Sequence, residues 1–496
     1  MAWIWLVLSV IVFIYFLQLL LGPRNKKRLP PGPKGLPILG HFHLLGKNPH
    51  RDLYHLAREH GPIMGLRFGF VPTVVVSSPA AAELVLKTHD LVFASRPPNE
   101  AAEYILYDKR DLAFGSYGPY WRAMRKLFTL KLLSNVKISQ FQQMRRAELA
   151  QFVTSLRCAA ESEEAVDLSA RVTSLNGDMN FLMVFGKKYS TMKEIGIEEA
   201  IKDSLEILGK FNLADYFPYV GVLNLQRLHG KMKRVSKVFD GILEEIIDDH
   251  LKKKKQQQQQ PAADIVDTLM EIMESRQAGF DFDIRHVKAI LIDMIVGGMD
   301  TSSTALEWAM SELMKHPTVM KKLQQEVESV VGLNQMVEES HLDKLKYLDC
   351  VVKETLRLHP VGPLLIPHES MEDCEVGGFH VPKKARLLVN AWAIGRDLDV
   401  WSDPDSFTPE RFIGSEIDLR GHHFELLPFG AGRRGCPGMQ LGLTVVKLVL
   451  AQLVHCFDWE LPDGMMESDV DMTEKFGLVK ARVKPLVVVP TYRLFF

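Results

Sequence analysis

One cysteine near the C-terminus lies in a segment whose composition suits the binding of a metal or cofactor. Residues 429–438 read Phe-Gly-Ala-Gly-Arg-Arg-Gly-Cys-Pro-Gly, so Cys436 lies in a glycine-rich loop beside arginines. Pro437 suits the first position of a helix, where its missing N–H costs nothing, and Cys436 would then be the N-cap. The positive end of that helix favours a thiolate over a thiol. The glycines let backbone approach a large flat ligand, and Arg434 could pair with a carboxylate of that ligand.

The same ten residues resemble the haem-ligand loop of the cytochrome P450 family, F-x-x-G-x-R-x-C-x-G, at all five specified positions. The resemblance implies that Cys436 is the axial thiolate ligand of the iron of haem b. It also implies that Phe429 and Arg434 belong to the cofactor-binding residues. The alternative is a glycine-rich loop around an inert buried cysteine, which fits most isolated cysteines but leaves the five matches unexplained.

A second set of charged residues is expected to support this loop. Glu354 and Arg357 are three residues apart and therefore share one face of a helix, although such pairs are common on helix surfaces. Further along the chain, Pro-Glu-Arg-Phe supplies Arg411, and in cytochromes P450 an arginine of this segment joins the Glu–Arg pair. A carboxylate between two guanidinium groups forms a charge-assisted network. The resemblance thus implies a structural role for these three residues.

Three further residues are expected at the haem propionates. Trp121 and Arg125 are four residues apart, so one helix face would present an indole N–H and a guanidinium to one propionate. His368 falls where the family often places a second cationic or donor group, although many members have arginine there. Without the cysteine loop, all three would be interpreted as ordinary surface or packing residues.

The oxygen-activating side is predicted in the segment 290–305. A strongly apolar run is interrupted by Gly297, Gly298, Met299, Asp300 and Thr301. Adjacent glycines and an acid–hydroxyl pair cost stability in a buried helix, which is tolerable where a ligand or water must approach the backbone. The interruption resembles the family's oxygen-binding pattern, which implies that Asp300 relays protons and that Thr301 stabilises the activated oxygen by hydrogen bonding. The alternative is a helix kink with a satisfied threonine.

The overall composition is that of an ordinary globular protein, with 47% hydrophobic and 24% charged residues among 496. This length is ample to enclose a large cofactor. A net charge of −1 gives no hint of a nucleic acid partner, and none is predicted. Five scattered cysteines without a C-x-x-C pair indicate free thiols in a reducing compartment.

The N-terminus departs from this average. Residues 2–21 are uncharged and mostly apolar, and about twenty such residues span a bilayer core of roughly 30 Å. Arg24, Lys26, Lys27 and Arg28 follow, which predicts that the C-terminal flank stays cytosolic. A cleaved signal peptide is the alternative, but its apolar region is usually shorter, and no small-x-small cleavage site lies around Leu21. The chain contains no N-x-S/T acceptor, consistent with a body that never enters the lumen.

We therefore predict a transmembrane anchor at residues 2–21, a basic and proline-rich hinge at 22–37, and a haem-thiolate catalytic domain at 38–496. The prolines around residues 30–37 form a stiff, helix-incompatible segment, and the family carries a similar one. The resemblance implies a single-pass protein of the endoplasmic reticulum membrane whose catalytic domain faces the cytosol.

Beyond the hinge, helical periodicity dominates and β segments are short, which predicts a mainly α fold with small β-sheets. The resemblance implies the cytochrome P450 fold. We expect strands at 63–69, 73–77, 386–390 and 486–489, and a pair of short strands around Gly377-Gly378. Helices are expected at 144–156, 238–250 and 443–454. The lysine and glutamine tract 252–260 is predicted to be a mobile surface loop.

By the resemblance, substrate contacts come from five segments: 98–116, 207–213, 294–301, 361–366 and 476–478. Residues 361–366 are wholly apolar and Phe476 is aromatic, which favours a hydrophobic or aromatic substrate, although the same runs fit core packing. The residues that fill these motifs resemble those of the plant microsomal cytochromes P450 that act in specialised metabolism. Terpenoids and phenylpropanoid or biphenyl-type phenolics are the substrates expected in that group.

The function implied is a membrane-anchored monooxygenase that inserts one oxygen atom from O2 into a small hydrophobic substrate, using electrons from NADPH through NADPH-cytochrome P450 reductase. Arg122, Lys126 and Arg433 are candidates for a basic patch that meets this acidic flavoprotein, although exposed basic residues more often serve solubility. One alternative is a haem-thiolate isomerase or dehydratase, which would have little use for Asp300 and Thr301. Another is a non-enzymatic single-pass membrane binding protein without haem.

Overall fold

A computed structural model describes residues 28–192, 196–217, 226–256, 264–462 and 464–495. The predicted transmembrane anchor and the first part of the predicted hinge lie outside these residues. Helices dominate the described residues and the sheets are small, so the predicted fold class is confirmed.

The α-helices share one globular body, in which helix follows helix with short strands between them. They are α1 (Pro49–His60), α2 (Pro79–Glu83), α3 (Glu100–Ile105), α4 (Pro119–Leu127), α5 (Asn135–Gln140), α6 (Gln142–Glu161), α7 (Leu168–Phe185), α8 (Ile197–Leu208), α9 (Leu228–Gln256), α10 (Ile265–Ser275), α11 (Ile284–Lys315), α12 (Pro317–Val331), α13 (Lys346–Leu358), α14 (Ala391–Ile394) and α15 (Met439–Cys456).

The strands form three sheets in the described part of the chain. They are β1 (Ile63–Phe68), β2 (Val71–Val76), β3 (Val166–Asp167), β4 (His368–Glu369), β5 (Cys374–Val376), β6 (Phe379–Val381), β7 (Arg386–Val389), β8 (Phe457–Glu460) and β9 (Val487–Tyr492). The largest sheet has the order β1-β2-β7-β4, in which only the β2–β7 pair is parallel. The others are β3-β9-β8 and the hairpin β5-β6.

Each strand and helix expected from periodicity is present, but α9 begins at Leu228, ten residues before its predicted start at residue 238. The β5-β6 hairpin turns at Gly377 and Gly378, both of which have the positive φ that glycine tolerates. One expectation is wrong: α9 continues to Gln256, so the first half of the lysine and glutamine tract is helical rather than a loop. Straight-chain lysine and glutamine are good helix formers, and they prolong a helix begun upstream.

The long helix α11 passes through the centre of the protein and packs mainly on α7 and α15. Its start is fixed by a capping box, in which the Asp283 side chain accepts the N–H groups of Arg285 and His286. With 32 residues it is about 48 Å long, enough to cross the whole body. Its apolar residues lie in both of the two largest hydrophobic clusters, so α11 joins the two halves of the core.

Two described helices, α11 and α15, are long and apolar enough to cross a membrane by length and composition alone. In each, most of the apolar window is buried inside the protein, 72% and 61% respectively. Both are therefore explained as core helices.

The described part of the predicted hinge is attached to the globular body. The carbonyl of Arg28 accepts the N–H of His380 at 2.7 Å, and that of Pro31 accepts the N–H of Gly65 at 2.7 Å. The carbonyl of Pro33 lies 2.9 Å from Nε2 of His41. Residues 28–37 thus lie against β1 and β6, a contact that the sequence did not predict.

The structure brings Glu354, Arg357 and Arg411 together, as expected. Arg357 donates Nε and Nη2 to the two carboxylate oxygens of Glu354 at 2.7 and 2.9 Å, and Arg411 donates Nε to Oε1 at 3.0 Å. Arg357 also donates to the carbonyls of Gly395 and Pro404. Glu354 and Arg357 are almost fully buried, so this network fixes the chain segment after α14 to the end of α13.

We predict that Glu354→Ala lowers the free energy of unfolding by about 3–5 kcal/mol, because it leaves the buried Arg357 guanidinium without its counter-charge. Urea unfolding of the detergent-solubilised protein measures this loss. Glu83→Ala is the matched control, since the Glu83–Lys87 pair is exposed and its removal should cost less than about 1 kcal/mol. Equal losses for the two variants would show that the network is not a structural support.

Candidate haem-thiolate active site

A cavity of about 390 Å³ lies in the middle of the described structure, between α11, α15 and the loop 429–438. Its wall is mostly apolar. Of the predicted site residues, seven line it: Trp121, Arg125, Thr301, His368, Phe429, Arg434 and Cys436. The structure therefore gathers residues that are more than 300 positions apart in the chain around one space.

The thiol of Cys436 opens onto this cavity from the loop that precedes α15. The loop is closed by backbone hydrogen bonds, from Cys436 N–H to the Phe429 carbonyl at 2.9 Å and from Gly435 N–H to the Gly432 carbonyl at 3.1 Å. The helix begins at Met439 with Gly438 as N-cap, so the prediction of Cys436 as N-cap and Pro437 as first helical residue is wrong. Pro437 and Gly438 instead form a turn that sets the sulfur just before the helix end.

Two opposing effects act on the Cys436 thiol. Burial raises its pKa, while the N–H groups of Gly438 and Met439 and the nearby guanidinium of Arg125 act in the other direction. The surface of the sulfur is accessible from the cavity, but it lies deep within the protein, which is why burial dominates. The N–H groups at the start of the helix thus favour the thiolate, as predicted from the sequence, but burial opposes them. A metal cation at the sulfur would shift this balance to the thiolate, because a coordinating thiol is deprotonated.

Three arginines bring positive charge to one end of the cavity: Arg96, Arg125 and Arg434. Burial lowers the pKa of each, that of Arg434 to about 10. In the described part of the chain, none of the three has a carboxylate within 4.0 Å. The charge of Asp111 acts on Arg96 and Arg434 without contacting them. Buried cations without a contacting counter-ion are costly. This end of the cavity is therefore suited to a ligand that carries carboxylates.

Backbone carbonyls hold two of these guanidinium groups in place. Arg434 donates Nη1 and Nη2 to the carbonyls of Leu112 and Gly115 at 3.2 and 2.7 Å. Arg96 donates Nε to the Ala113 carbonyl at 2.9 Å and Nη1 to the Ile366 carbonyl at 2.6 Å. The cationic end of the cavity is thus rigid before any ligand binds.

Trp121 contributes differently from the expectation. Its indole N–H donates to the Leu112 carbonyl at 2.9 Å, while its ring lies 4.0 Å from the guanidinium carbon of Arg434. The indole therefore supports Arg434 through a cation–π contact, and its N–H is already used by the backbone.

His368 is buried beside Arg96, and its Nδ1 donates to the Phe93 carbonyl at 2.8 Å. Burial lowers the pKa of His368 far below its ordinary value, so the ring is neutral and Nε2 is an acceptor. To donate to a carboxylate, the ring must take up a second proton, which a neighbouring anion favours.

On the opposite wall, the hydroxyl of Thr301 donates to the Gly297 carbonyl at 2.7 Å and lines the cavity. Asp300, the next residue on α11, faces different surroundings, where Lys202, Lys475 and Glu198 interact with its charge. Burial raises the pKa of Asp300. The structure therefore brings Thr301 to the cavity but turns Asp300 toward α8, so a proton relay through Asp300 needs a rotation or an intervening water.

Comparison with known proteins agrees with this arrangement. The family model of cytochrome P450 matches residues 30–487. The chain is a cytochrome P450. It is 49% identical over 477 residues to cytochrome P450 CYP736A12 of Panax ginseng, an alignment that covers 95% of each protein.

Two further relatives place this cytochrome P450 among known sequences and structures. It is 42% identical to the 4-hydroxyphenylacetaldehyde oxime monooxygenase of Sorghum bicolor, over 98% of this chain and 94% of that protein. A zebra fish cytochrome P450 solved with progesterone superposes with a TM-score of 0.77 at 26% identity, over 89% of this chain and 99% of the other. The protein is thus a plant-type cytochrome P450, an oxidoreductase that incorporates oxygen.

Haem is the cofactor of this family, with dioxygen and NADPH-derived electrons as co-substrates. The residues of this cytochrome P450 fit haem: Cys436 would hold the iron through its sulfur, and the buried arginines would offer the charge that two propionates require. When bound, haem supplies the redox chemistry by which dioxygen is activated. The chain supplies the ligand, the cationic end and the enclosed apolar wall.

Arg96 lies at the cationic end of the cavity and was not predicted from the sequence. Its signal was a charged residue that follows the apolar run Val92–Ala94 and Ser95 and directly precedes two prolines, which is unusual for a surface arginine. Only the fold shows that this arginine is buried between Arg434 and His368.

The segments expected to contact substrate all reach the cavity. Each of the five ranges contributes lining residues, such as Phe114, Leu208, Val296, Leu365 and Leu478. Phe476 does not reach the wall described for this cavity and is 38% exposed, with the Lys480 ammonium over its ring. The apolar wall at this end thus comes from aliphatic side chains and Phe114 rather than from Phe476.

The glycine pair of α11 has two distinct environments. A Cβ placed on Gly297 would meet nothing within 4 Å, whereas one on Gly298 would lie 2.1 Å from Nδ2 of Asn180 on α7. Asn180 uses that nitrogen to donate to the Met294 carbonyl at 3.3 Å, and Asn176 donates to the Gly298 carbonyl at 3.1 Å. Close packing of α7 therefore requires glycine at 298 but not at 297.

We predict that Gly298→Ala destabilises the haem-loaded protein by about 1–3 kcal/mol through overpacking against Asn180. Gly297→Ala is the control and should be neutral or slightly stabilising, because alanine favours helix. Thermal unfolding followed by haem absorbance measures both.

A double variant makes this prediction specific. If the clash with Asn180 is the cause, Gly298→Ala should cost much less when Asn180→Ala is already present. Additive losses in the double variant would contradict the explanation, since contacting residues should couple.

Proposed function

We propose that this cytochrome P450 is a membrane-anchored monooxygenase of plant specialised metabolism that inserts one oxygen atom into a small hydrophobic substrate. A terpenoid or a phenylpropanoid or biphenyl-type phenolic is the proposed substrate class. The observation that carries the proposal is the mostly apolar cavity onto which the Cys436 thiol opens. Such a space binds a molecule by shape, with few polar contacts to fix its orientation.

The proposed phenolic class has support from one relative. The Sorghum bicolor protein is a monooxygenase whose name specifies a 4-hydroxyphenyl compound, and the two chains align along almost their whole lengths. The cavity of this protein has Phe114 in its wall, which suits contact with an aromatic ring.

We propose that Cys436 ligates the iron, that Arg96, Arg125, Arg434 and His368 hold the propionates, and that Thr301 guides protons on the opposite side. The hydroxyl of Thr301 now donates to its own helix, which leaves its oxygen free to accept from a water or from substrate-side donors. In this role the Thr301 hydroxyl would break its hydrogen bond to the Gly297 carbonyl and donate to the oxygen that is to be protonated.

We propose NADPH-cytochrome P450 reductase as the electron donor and the endoplasmic reticulum membrane as the location, with the anchor at residues 2–21. Arg122 and Lys126 are exposed on α4, which supports a basic docking surface there. Arg433 is also half exposed but already pairs with Asp90 at 3.0 Å, so its contribution to that surface is smaller.

The test is turnover in microsomes that contain the protein and the reductase. A library of terpenoids and phenolics should yield a product heavier by one oxygen atom, only with both NADPH and O2. The reduced carbon monoxide complex should absorb near ~450 nm, and Cys436→Ser should lose that band and the product. A product that forms without O2 would identify an isomerase or dehydratase, and the absence of the band in the wild-type protein would rule out a haem-thiolate enzyme.

We predict that Thr301→Ala retains the absorbance near ~450 nm but releases more hydrogen peroxide and less product per NADPH, because proton delivery is impaired. Thr304→Ala is the matched control: it is the same substitution at a buried position of the same helix. Peroxide and product are measured together with NADPH consumption. An unchanged ratio of product to NADPH in Thr301→Ala would contradict the role.

A further inference from the structure

A buried carboxylate lies behind the cationic end of the cavity, in the loop between α3 and α4. The side chain of Asp111 is fully buried, and its Oδ2 accepts the N–H of Phe114 at 2.6 Å. Asp111 does not belong to the cavity wall, which its neighbours Leu112 and Ala113 help to form. In the described part of the chain it forms no ion pair, and the charge of Arg434 acts on it only from a distance. Neither solvent nor a direct ion pair thus neutralises this acid.

One peptide group links the carboxylate to an arginine of the cavity. The peptide group between Ala113 and Phe114 donates its N–H to Asp111. The carbonyl of the same peptide group accepts Nε of Arg96 at 2.9 Å. A peptide group carries a dipole of about 3.5 D, with its positive end at the N–H and its negative end at the carbonyl. Both charges therefore meet the favourable end of one fixed dipole, and the loop keeps them at a constant separation.

The negative charge of Asp111 reaches two of the three cavity arginines. It acts against the lowering of the pKa that burial causes for Arg96 and for Arg434. For Arg125, burial is instead opposed by the charge of Cys436. Asp111 thus stabilises the charged form of two guanidinium groups that it does not touch.

Of the two acids that hold this loop, Asp111 is the one that carries the charge. Asp293 on α11 lines the cavity, and its Oδ2 accepts the N–H of Leu112 at 2.7 Å. Burial raises the pKa of Asp293 well above its ordinary value, and the charge of Asp111 raises it further, which favours the neutral acid. Burial also raises the pKa of Asp111, to about 6, but the N–H of Phe114 and the charge of Arg434 oppose a larger rise. At neutral pH Asp111 is therefore ionised.

We propose that Asp111 sets the net charge at the cationic end of the cavity to +2, equal and opposite to the charge of two haem propionates. Arg96, Arg125 and Arg434 supply three positive charges, and Asp111 offsets one of them. His368 adds none, because its buried ring is neutral. The inference rests on the proposed function, which assigns these arginines to the propionates, and deepens it by naming the residue that limits their charge. Asp111 acts through the arginines and the loop, so it is a positioning residue.

The charge of Asp111 affects two measurable properties of the haem-loaded protein. A negative charge near the cofactor disfavours the uptake of an electron, so Asp111 lowers the reduction potential of the haem iron. It also weakens the attraction between the arginines and the propionates, so haem leaves faster than it would from a site with a charge of +3. A residue that only shaped the loop would not change both properties in these directions.

The test combines spectroelectrochemical titration of the haem with haem transfer to apomyoglobin. Asp111→Asn keeps an oxygen that can accept the Phe114 N–H but removes the charge. The reduction potential should rise, and haem loss should become about tenfold slower, which is the order of effect of one unit charge inside a protein. An unchanged or lower potential, or faster haem loss, would overturn the proposal.

A charge-restoring pair of substitutions keeps the test decisive if Asp111→Asn does not load haem. Arg96→Gln removes one positive charge, so it should lower the potential and speed haem loss. The double variant Arg96→Gln with Asp111→Asn has a net charge of +2 again and should hold haem longer than Arg96→Gln alone. Equal or faster haem loss in the double variant would show that Asp111 only shapes the loop, because two independent defects add.

Asp293→Asn is the matched control, since it makes the same substitution at the neighbouring acid, whose neutral form is favoured. Its amide can still accept the Leu112 N–H, so the potential should stay close to that of the wild-type protein. An equal rise in both asparagine variants would contradict a role for the charge of Asp111. A wild-type protein without the absorbance near ~450 nm of its reduced carbon monoxide complex would refute the proposed function itself. With that band present, an unchanged potential in Asp111→Asn refutes the role of Asp111 alone.

Discussion

Positive charge that is buried without a carboxylate in direct contact is the constraint on which the rest of this site depends. Arg96, Arg125 and Arg434 line one end of the cavity, where the low dielectric makes each charge expensive. The fold offsets part of that cost with the carbonyls of Leu112, Ala113 and Gly115, which are tied to the guanidinium groups. The charge of Asp111 stabilises Arg96 and Arg434 without contacting them, and carboxylates of a ligand would offset the remainder. Cofactor binding is therefore part of the stability of this protein and not an addition to a finished fold.

The network of Glu354, Arg357 and Arg411 solves the same physical problem in the opposite way. There, a carboxylate from the chain itself neutralises two guanidinium groups, and the remaining donors reach carbonyls of the segment after α14. Arg357 and Arg411 are thus neutralised by a carboxylate of the chain, whereas the three arginines of the cavity have no contacting carboxylate and can receive one from a ligand. The difference separates a structural cluster from a binding site more clearly than residue type does.

The sequence predicted those parts of the site that depend on local spacing. Cys436, the Glu354–Arg357 pair and the position of Thr301 follow from short patterns, and the strands and helices follow from periodicity. Arg96 and Asp293 could not be found in this way, because their burial results from contacts between segments far apart in the chain. The start of α15 was misplaced because proline at residue 437 suits a turn as well as a first helical position. Asp300 and Thr301 are neighbours in sequence, yet the rotation of about 100° between helix neighbours places them in different surroundings.

The loop between α3 and α4 belongs to two walls at once. Its carbonyls hold Arg96, Trp121 and Arg434 on the cofactor side, and its N–H at Leu112 is held by Asp293 on the substrate side. Insertions or deletions in this loop would therefore disturb haem retention together with substrate choice. In this loop, the choice of substrate can change by substitution of side chains such as those of Ala113 and Phe114, while the path of the main chain stays the same. New specificities in this lineage should accumulate by point substitution there, while changes in length are tolerated only elsewhere.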